Sequence, residues 1–174
     1  RQMYTQILFP TDGSEGSAAA FDHVLEIADS HDSTVHILNV ADTTQDSVLR
    51  RQGEVVDTLV QEGETIVDDA DDRAQQRGIE TVTEVRQGVP YSTIVDYAAS
   101  HDVDLVVMPT HGRQGLRRFL LGSTSERVIR QAETPVLTIR PDTDTIEYPY
   151  RNVLVPTDGS EGAQDALAIG ADIA

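Results

Sequence analysis

The sequence predicts an α/β fold: an open, doubly wound, mostly parallel five-stranded sheet in the order 3-2-1-4-5. Three observations predict it. Short apolar segments alternate with helical patterns over the first 140 residues. Each connection is long enough for a helical crossover, and right-handed crossovers place helices on both faces of a parallel sheet. The first and fourth apolar segments are the most continuous, as strands covered on both faces must be. They are therefore expected side by side in the middle.

Residues 6–10 (QILFP) read as a short strand. Residues 14–31 read as a helix, because Phe21, Val24, Leu25 and Ala28 recur at i, i+3, i+4 and i+7. Residues 34–40 are the second strand. The stretch 46–77 reads as one long helix, with Val55, Leu59, Ile66, Val67, Ala70 and Ala74 as its buried stripe. Gly78 ends it in the manner of a C-cap glycine. Residues 79–86 alternate, as a strand with one wetter face does. Pro90 opens a helix over 90–100, where its fixed φ suits the first turn. Residues 103–108 form a nearly all-apolar strand, 123–131 a helix, and 135–140 the fifth strand, at an edge. The arrangement is Rossmann-like. Such sheets bind ligands at the carboxyl ends of strands where the order reverses.

An internal repeat divides the chain. Residues 10–16 read PTDGSEG, and residues 156–162 read the same, 146 positions later. QILF precedes the first copy and NVLV the second, and an alanine-rich helical pattern follows both. Residues 1–140 are expected as a complete domain and 141–150 (PDTDTIEYPY) as a linker. Residues 151–174 are expected as the first strand and helix of a second, truncated copy, in a tandem arrangement. One strand and one helix bury too little apolar surface to fold alone. This piece is expected to dock on another chain's sheet or to exchange with an equivalent element.

Composition excludes several chemistries. The chain has no cysteine, so disulfides, iron–sulfur clusters and thiol nucleophiles are out. All thirteen basic residues are arginine. Without lysine there is neither a P-loop nor a Schiff base. The net charge is −17. Such a skin repels itself in dilute buffer and is screened in molar salt, where the Debye length is about 3 Å. An acidic, lysine-free surface suits a halophilic cytoplasm, and it disfavours nucleic acid. No apolar run reaches the length of a membrane span and no signal peptide is visible, so no membrane partner and a cytoplasmic location are expected.

Two loops leave the ends of the first and fourth strands. The first is Pro10-Thr11-Asp12-Gly13-Ser14. The second runs from Pro109 through His111, Gly112 and Arg113 to Gly122-Ser123-Thr124. Glycines allow close backbone approach to a ligand. Gly122-Ser123 opens a helix, and Ser123 with Glu126 matches a capping box. A helix start offers free N–H groups and the positive end of a dipole, which suits phosphate. Residues 109–131 carry five arginines against Glu126, a local balance of +4 on a chain otherwise at −21. Each charge-assisted bond from such a group to a phosphate is worth about 1.5–3 kcal/mol. The competing reading makes the glycines plain turn residues and pairs the arginines with surface acids. Asp12 can accept bonds from ribose hydroxyls, or serve as an Asx turn for the helix that follows. The five histidines are scattered without ligand spacing. No catalytic residue and no metal site emerges from spacing.

The PTDGSE opening, DLVVMPTHGR, and GLRRFLLGSTSERVIR ending in TPVLTIR together resemble the universal stress protein family. The resemblance covers about residues 3–140 and again 151–174. In the family's nucleotide-binding branch, Gly-x-x-Gly is followed by nine residues and Gly-Ser. Gly112, nine residues, and Gly122-Ser123 match; Pro109 stands where the first glycine would be. The resemblance implies ATP, with Asp12 near the ribose and the Val40 backbone at the adenine. Gly112, Gly122, Ser123 and Thr124 would lie along the phosphates, and Thr11, Met108, His111 and Arg113 would line the same site. Mg²⁺ would be held by the phosphates and water. The family allows at most slow ATP hydrolysis. Proline has no N–H, so one donor near the ribose is missing.

Two functions follow. One is an ATP-binding stress-response or regulatory module. The other is a non-nucleotide dimerisation and interaction module with a degenerate site. In either, the strand at 135–140 has an unpaired edge. The resemblance points to homodimer or tandem-domain pairing through it.

Overall fold

A computed structural model describes residues 4–43, 54–110, 121–140 and 148–173. Five strands form one sheet: β1 (Gln6–Pro10), β2 (Thr34–Ala41), β3 (Thr81–Gln87), β4 (Leu105–Pro109) and β5 (Val136–Ile139). Their order is β3-β2-β1-β4-β5, and every pairing is parallel. The expected topology is the one found. The chain starts in the middle, builds outward through β2 and β3, then returns to the other side of β1 through β4 and β5.

Between the strands run α1 (Glu15–His31), α2 (Glu54–Gln75), α3 (Pro90–Ser100) and α4 (Ser123–Gln131), and α5 (Glu161–Asp172) follows β5. Successive residues of a strand face opposite sides, and this period sorts the core into two layers. Ile7, Phe9, Val35, Ile37, Leu105 and Val107 meet Phe21, Val24 and Leu25 of α1 and Val67, Ala70 and Ala74 of α2. Leu8, Leu38, Val106 and Met108 meet Ile94, Tyr97 and Ala98 of α3 and Val128 of α4. The central strands are apolar at nearly every position because both faces are covered. Complete burial of each Ile, Leu or Phe contributes about 1.5–3 kcal/mol.

Several element ends differ from expectation. β3 begins at Thr81, not 79, because Ile79 turns its side chain into the core just before the ladder starts. β4 begins at Leu105: the Val103 amide still closes the turn out of α3 on the Ala98 carbonyl, and the Asp104 amide makes the first bond to β1, at Gln6. The helix expected from residue 46 is described from Glu54; residues 44–53 lie outside the described residues.

The second repeat copy differs more. Residues 151–155 form no strand, and Leu154 is 92% exposed. A strand exists only by pairing, and no neighbour pairs with this one among the described residues. α5 forms with no residue of its own buried. What joins this region to the rest is two tyrosines and one isoleucine. Tyr148 and Tyr150 pack against the α1 side of the core, as does Ile173. The Tyr150 hydroxyl lies 2.6 Å from His23 Nε2, and that of Tyr148 lies 2.5 Å from His31 Nε2. Among the described residues, no helix is long and apolar enough to cross a membrane.

Candidate functional site

The strand order reverses between β1 and β4, and both end in loops at the same edge of the sheet. At this place two turns can flank one ligand.

The first turn is held from within by its own side chains. The Gly13 amide donates to Thr11 Oγ1 at 3.2 Å, and the Ser14 amide donates to Asp12 Oδ1 at 3.0 Å. Ser14 is the N-cap of α1 and accepts from the Ser17 amide at 3.2 Å. Thr11 Oγ1 lies 2.8 Å from Ser17 Oγ. The Asx-turn role of Asp12 is therefore present, and it uses one carboxylate oxygen. Gly13 sits at φ +73°, and a Cβ there would come within 2.8 Å of Ile66 on α2. Glycine is required both by conformation and by space.

The turn is held from outside by β2. The Thr11 amide donates to the Leu38 carbonyl at 2.9 Å. The Thr11 carbonyl accepts from Asn39 Nδ2 at 2.8 Å. Asn39 is 6% exposed. Sequence reasoning passed over it, although an amide inside the run HILNVA was a visible signal: a buried polar side chain in a covered strand needs a partner.

The second turn is anchored at both ends. The Thr110 amide donates to Ile139 on β5 at 2.8 Å, and the Gly122 amide donates to the Thr110 carbonyl at 2.7 Å. Ser125 Oγ donates to the Pro109 carbonyl at 3.0 Å, a further contact that spacing did not disclose. The start of α4 is thus tied to the end of β4. The capping box expected of Ser123 and Glu126 does not form. Gly122 is the N-cap, Ser123 is already inside the helix, and among the described residues no side-chain cap closes the first turn. Glycine in the N-cap position accepts the Glu126 amide with its carbonyl but has no side-chain oxygen for the amides between them. Those amides keep their attraction for an anion.

Pro109 has a definite consequence. The Val106 amide donates to the Pro135 carbonyl just before β5, and the Thr110 amide donates to Ile139 on β5. Amides alternate sides along a strand, so that of position 109 would face β1 and the crevice. Proline removes it.

Of the remaining site candidates, Val40 is half-buried near the end of β2, opposite Arg86. Met108 is 4% exposed, and its side chain lies in the α3–α4 core. Only its backbone is left for a ligand. His111, Gly112 and Arg113 lie outside the described residues, as do Arg117 and Arg118 of the basic island. The other two island arginines have protein partners. Arg130 pairs with Glu126 at 3.0 Å, and Arg127 lies over the Tyr91 ring at 4.9 Å.

The comparisons with known proteins agree with this architecture. Residues 3–140 match the universal stress protein family, and the chain belongs to it. It is similar to Universal stress protein MJ0531 of Methanocaldococcus jannaschii, with 37% identity over 141 residues, covering 79% of this chain and 83% of that one. The solved structure of MJ0577, from the same organism, superposes with a TM-score of 0.72 at 30% identity, covering 79% of this chain and 96% of that one. Universal stress protein UspA from Lactobacillus plantarum gives a TM-score of 0.71 at 29% identity, covering 79% and 98%. The fold is also that of a universal stress protein in complex with cAMP, at 24% identity, and of one from Arabidopsis thaliana with AMP bound, at 20%.

Proposed function

We propose that this chain is an adenine-nucleotide-binding regulatory module whose ligand is ATP. The observation that carries the reading is the uncapped start of α4, tied by Gly122 and Ser125 to the end of β4, next to the β1 turn across the reversal point. A helix start without its own cap is suited to phosphate oxygens. In this reading Gly122, Ser123 and Thr124 hold phosphates, together with His111, Gly112 and Arg113 from the loop before them. Thr11 and Asp12 face the ribose, and the Val40 and Met108 backbones border the adenine. Mg²⁺ would be carried by the phosphates. Two proteins of this fold hold cAMP and AMP, which supports an adenine ligand for the fold; for this chain the support is its own two turns.

The test is calorimetric titration with ATP in molar NaCl, with mass spectrometry of the purified protein for retained nucleotide. Binding in the micromolar range is expected. Gly122→Val should weaken it at least tenfold, because a β-branched side chain at that position crowds the phosphate approach. No heat at millimolar ATP would sink the reading. Pro109 favours a second function, a nucleotide-free interaction module, since it removes a donor from the crevice. Under that reading the exposed edge of β5 would pair two copies or two tandem domains, and dimer mass would persist with no nucleotide present.

A further inference from the structure

Thr11 is gripped by consecutive residues of β2: its amide by the Leu38 carbonyl and its carbonyl by the Asn39 side chain, at 2.9 and 2.8 Å. The second grip has a visible cost in the packing of α2. A Cβ on Gly63 would lie 2.6 Å from Asn39 Oδ1 and 2.8 Å from Val85 Cγ1. The helix carries glycine where the buried amide needs room, although glycine costs a helix interior about 1 kcal/mol. One turn further on, Ile66 fills the space beside Gly13. α2 therefore touches the first turn twice, once through Asn39 and once directly.

The repeat supplies a comparison inside the same chain. At the second PTDGSEG copy the Gly159 amide donates to Thr157 Oγ1 at 3.2 Å, the Ser160 amide to Asp158 Oδ1 at 2.9 Å, and the Ala163 amide to Ser160 Oγ at 3.3 Å. Gly159 sits at φ +82°, against +73° for Gly13. The turn thus takes its shape with no β2 beside it. Asn39 is not needed to shape the turn. What it adds is location: it fixes the Thr11 carbonyl, and so the Thr11–Asp12 edge, relative to the sheet.

We propose that Asn39 is a positioning residue of the nucleotide site, and that Gly63 exists to admit it. The inference rests on the nucleotide reading given above. Asn39 holds the nucleoside side of the ligand in register with the phosphate side at α4, which is anchored separately through Thr110 and Pro109. The two ends of the ligand then respond differently to its loss.

The experiment compares wild type, Asn39→Asp and Gly63→Ala by calorimetry with three probes: ATP, adenosine and inorganic tripolyphosphate. Asn39→Asp is isosteric but sets an acceptor against the Thr11 carbonyl; Gly63→Ala pushes the amide from the other side. Both variants should bind ATP and adenosine about tenfold more weakly, the size of one lost hydrogen bond. Tripolyphosphate should bind all three proteins equally. A purely structural role would weaken all probes together, and that outcome overturns the proposal. So does wild-type affinity for adenosine and ATP in both variants, with thermal unfolding confirming that they are folded. If wild type itself binds neither ATP nor adenosine, the nucleotide reading fails, and this inference with it.

Discussion

Burial sets the state of single residues here. His36 is 6% exposed, with Nδ1 2.9 Å from the Tyr97 hydroxyl and Nε2 2.7 Å from Gln6 Oε1. Burial holds its imidazole below the ordinary value; the nearby His101 adds to this, and Glu84 opposes it. His23 is lowered by burial too, against the pull of Glu26. A histidine that binds its proton more weakly when folded makes the unfolded chain the better proton acceptor. Its contribution to stability is complete above about pH 6.5 and is lost as pH falls through the lowered folded value. Urea unfolding should show a stability drop between pH 7.5 and 5, and His36→Gln should flatten it in part. An unchanged slope in the variant would exclude His36 as a source. Gly13 and Gly159 form a second residue-scale pair. Both have positive φ, but only Gly13 has a neighbour, Ile66. Gly13→Ala should cost about 1–2 kcal/mol or more in global unfolding. Gly159→Ala carries the same left-handed strain but meets no neighbour, so it should cost less, about 1 kcal/mol.

Elements show where local pattern suffices. α1 was readable at both ends, since Ser14 caps it and its apolar face has a clean 3.6-residue period. α4 was readable in extent but not in its start. Ser123 and Glu126 carried the spacing of a capping box, yet the tie from Gly122 to Thr110 makes glycine the cap. That tie spans a loop, and spacing cannot register it. The aromatic segment after β5 was equally illegible. Residues 141–150 look like a linker by composition, but Tyr148 and Tyr150 find His31 and His23 on one face of α1. A chain ending at Arg140 should therefore lose about 2–4 kcal/mol, the order expected for two half-buried tyrosines and the buried Ile173. Thermal unfolding of the two lengths checks this, and equal stability would show the strap contributes nothing.

For the whole molecule, charge is the dominant fact. The net charge of −17 is spread over a 174-residue chain. α2 alone carries Asp68, Asp69, Asp71 and Asp72 within five positions. Arginine relieves only part of this: Asp22 meets both Arg73 and Arg77, at 2.9 and 3.3 Å, all three substantially exposed. Exposed pairs of this kind contribute at most about 1 kcal/mol. Self-repulsion should yield to screening, so the urea midpoint should rise steadily from 0.1 to 2 M NaCl, as the Debye length shrinks from about 10 Å to below about 3 Å. A flat or falling midpoint would mean that repulsion is already neutralised locally.

The two-sided core and the shape of the PTDGSEG turn were legible in the residues alone, and the strand order followed from the crossover connections between them. Core and turn depend on periodicity or on bonds between residues one to three positions apart, and the turn forms alike in both copies of the repeat. Where that turn stands depends on contacts made far along the chain. Asn39 is 28 positions from Thr11 in the chain, and Gly63 lies a further 24 along. Contacts made across such distances exist only once the sheet and its helices have closed on one another. The unpaired residues 151–155 make the same point from the other side: their pattern is that of a strand, and without a neighbouring ladder they do not become one.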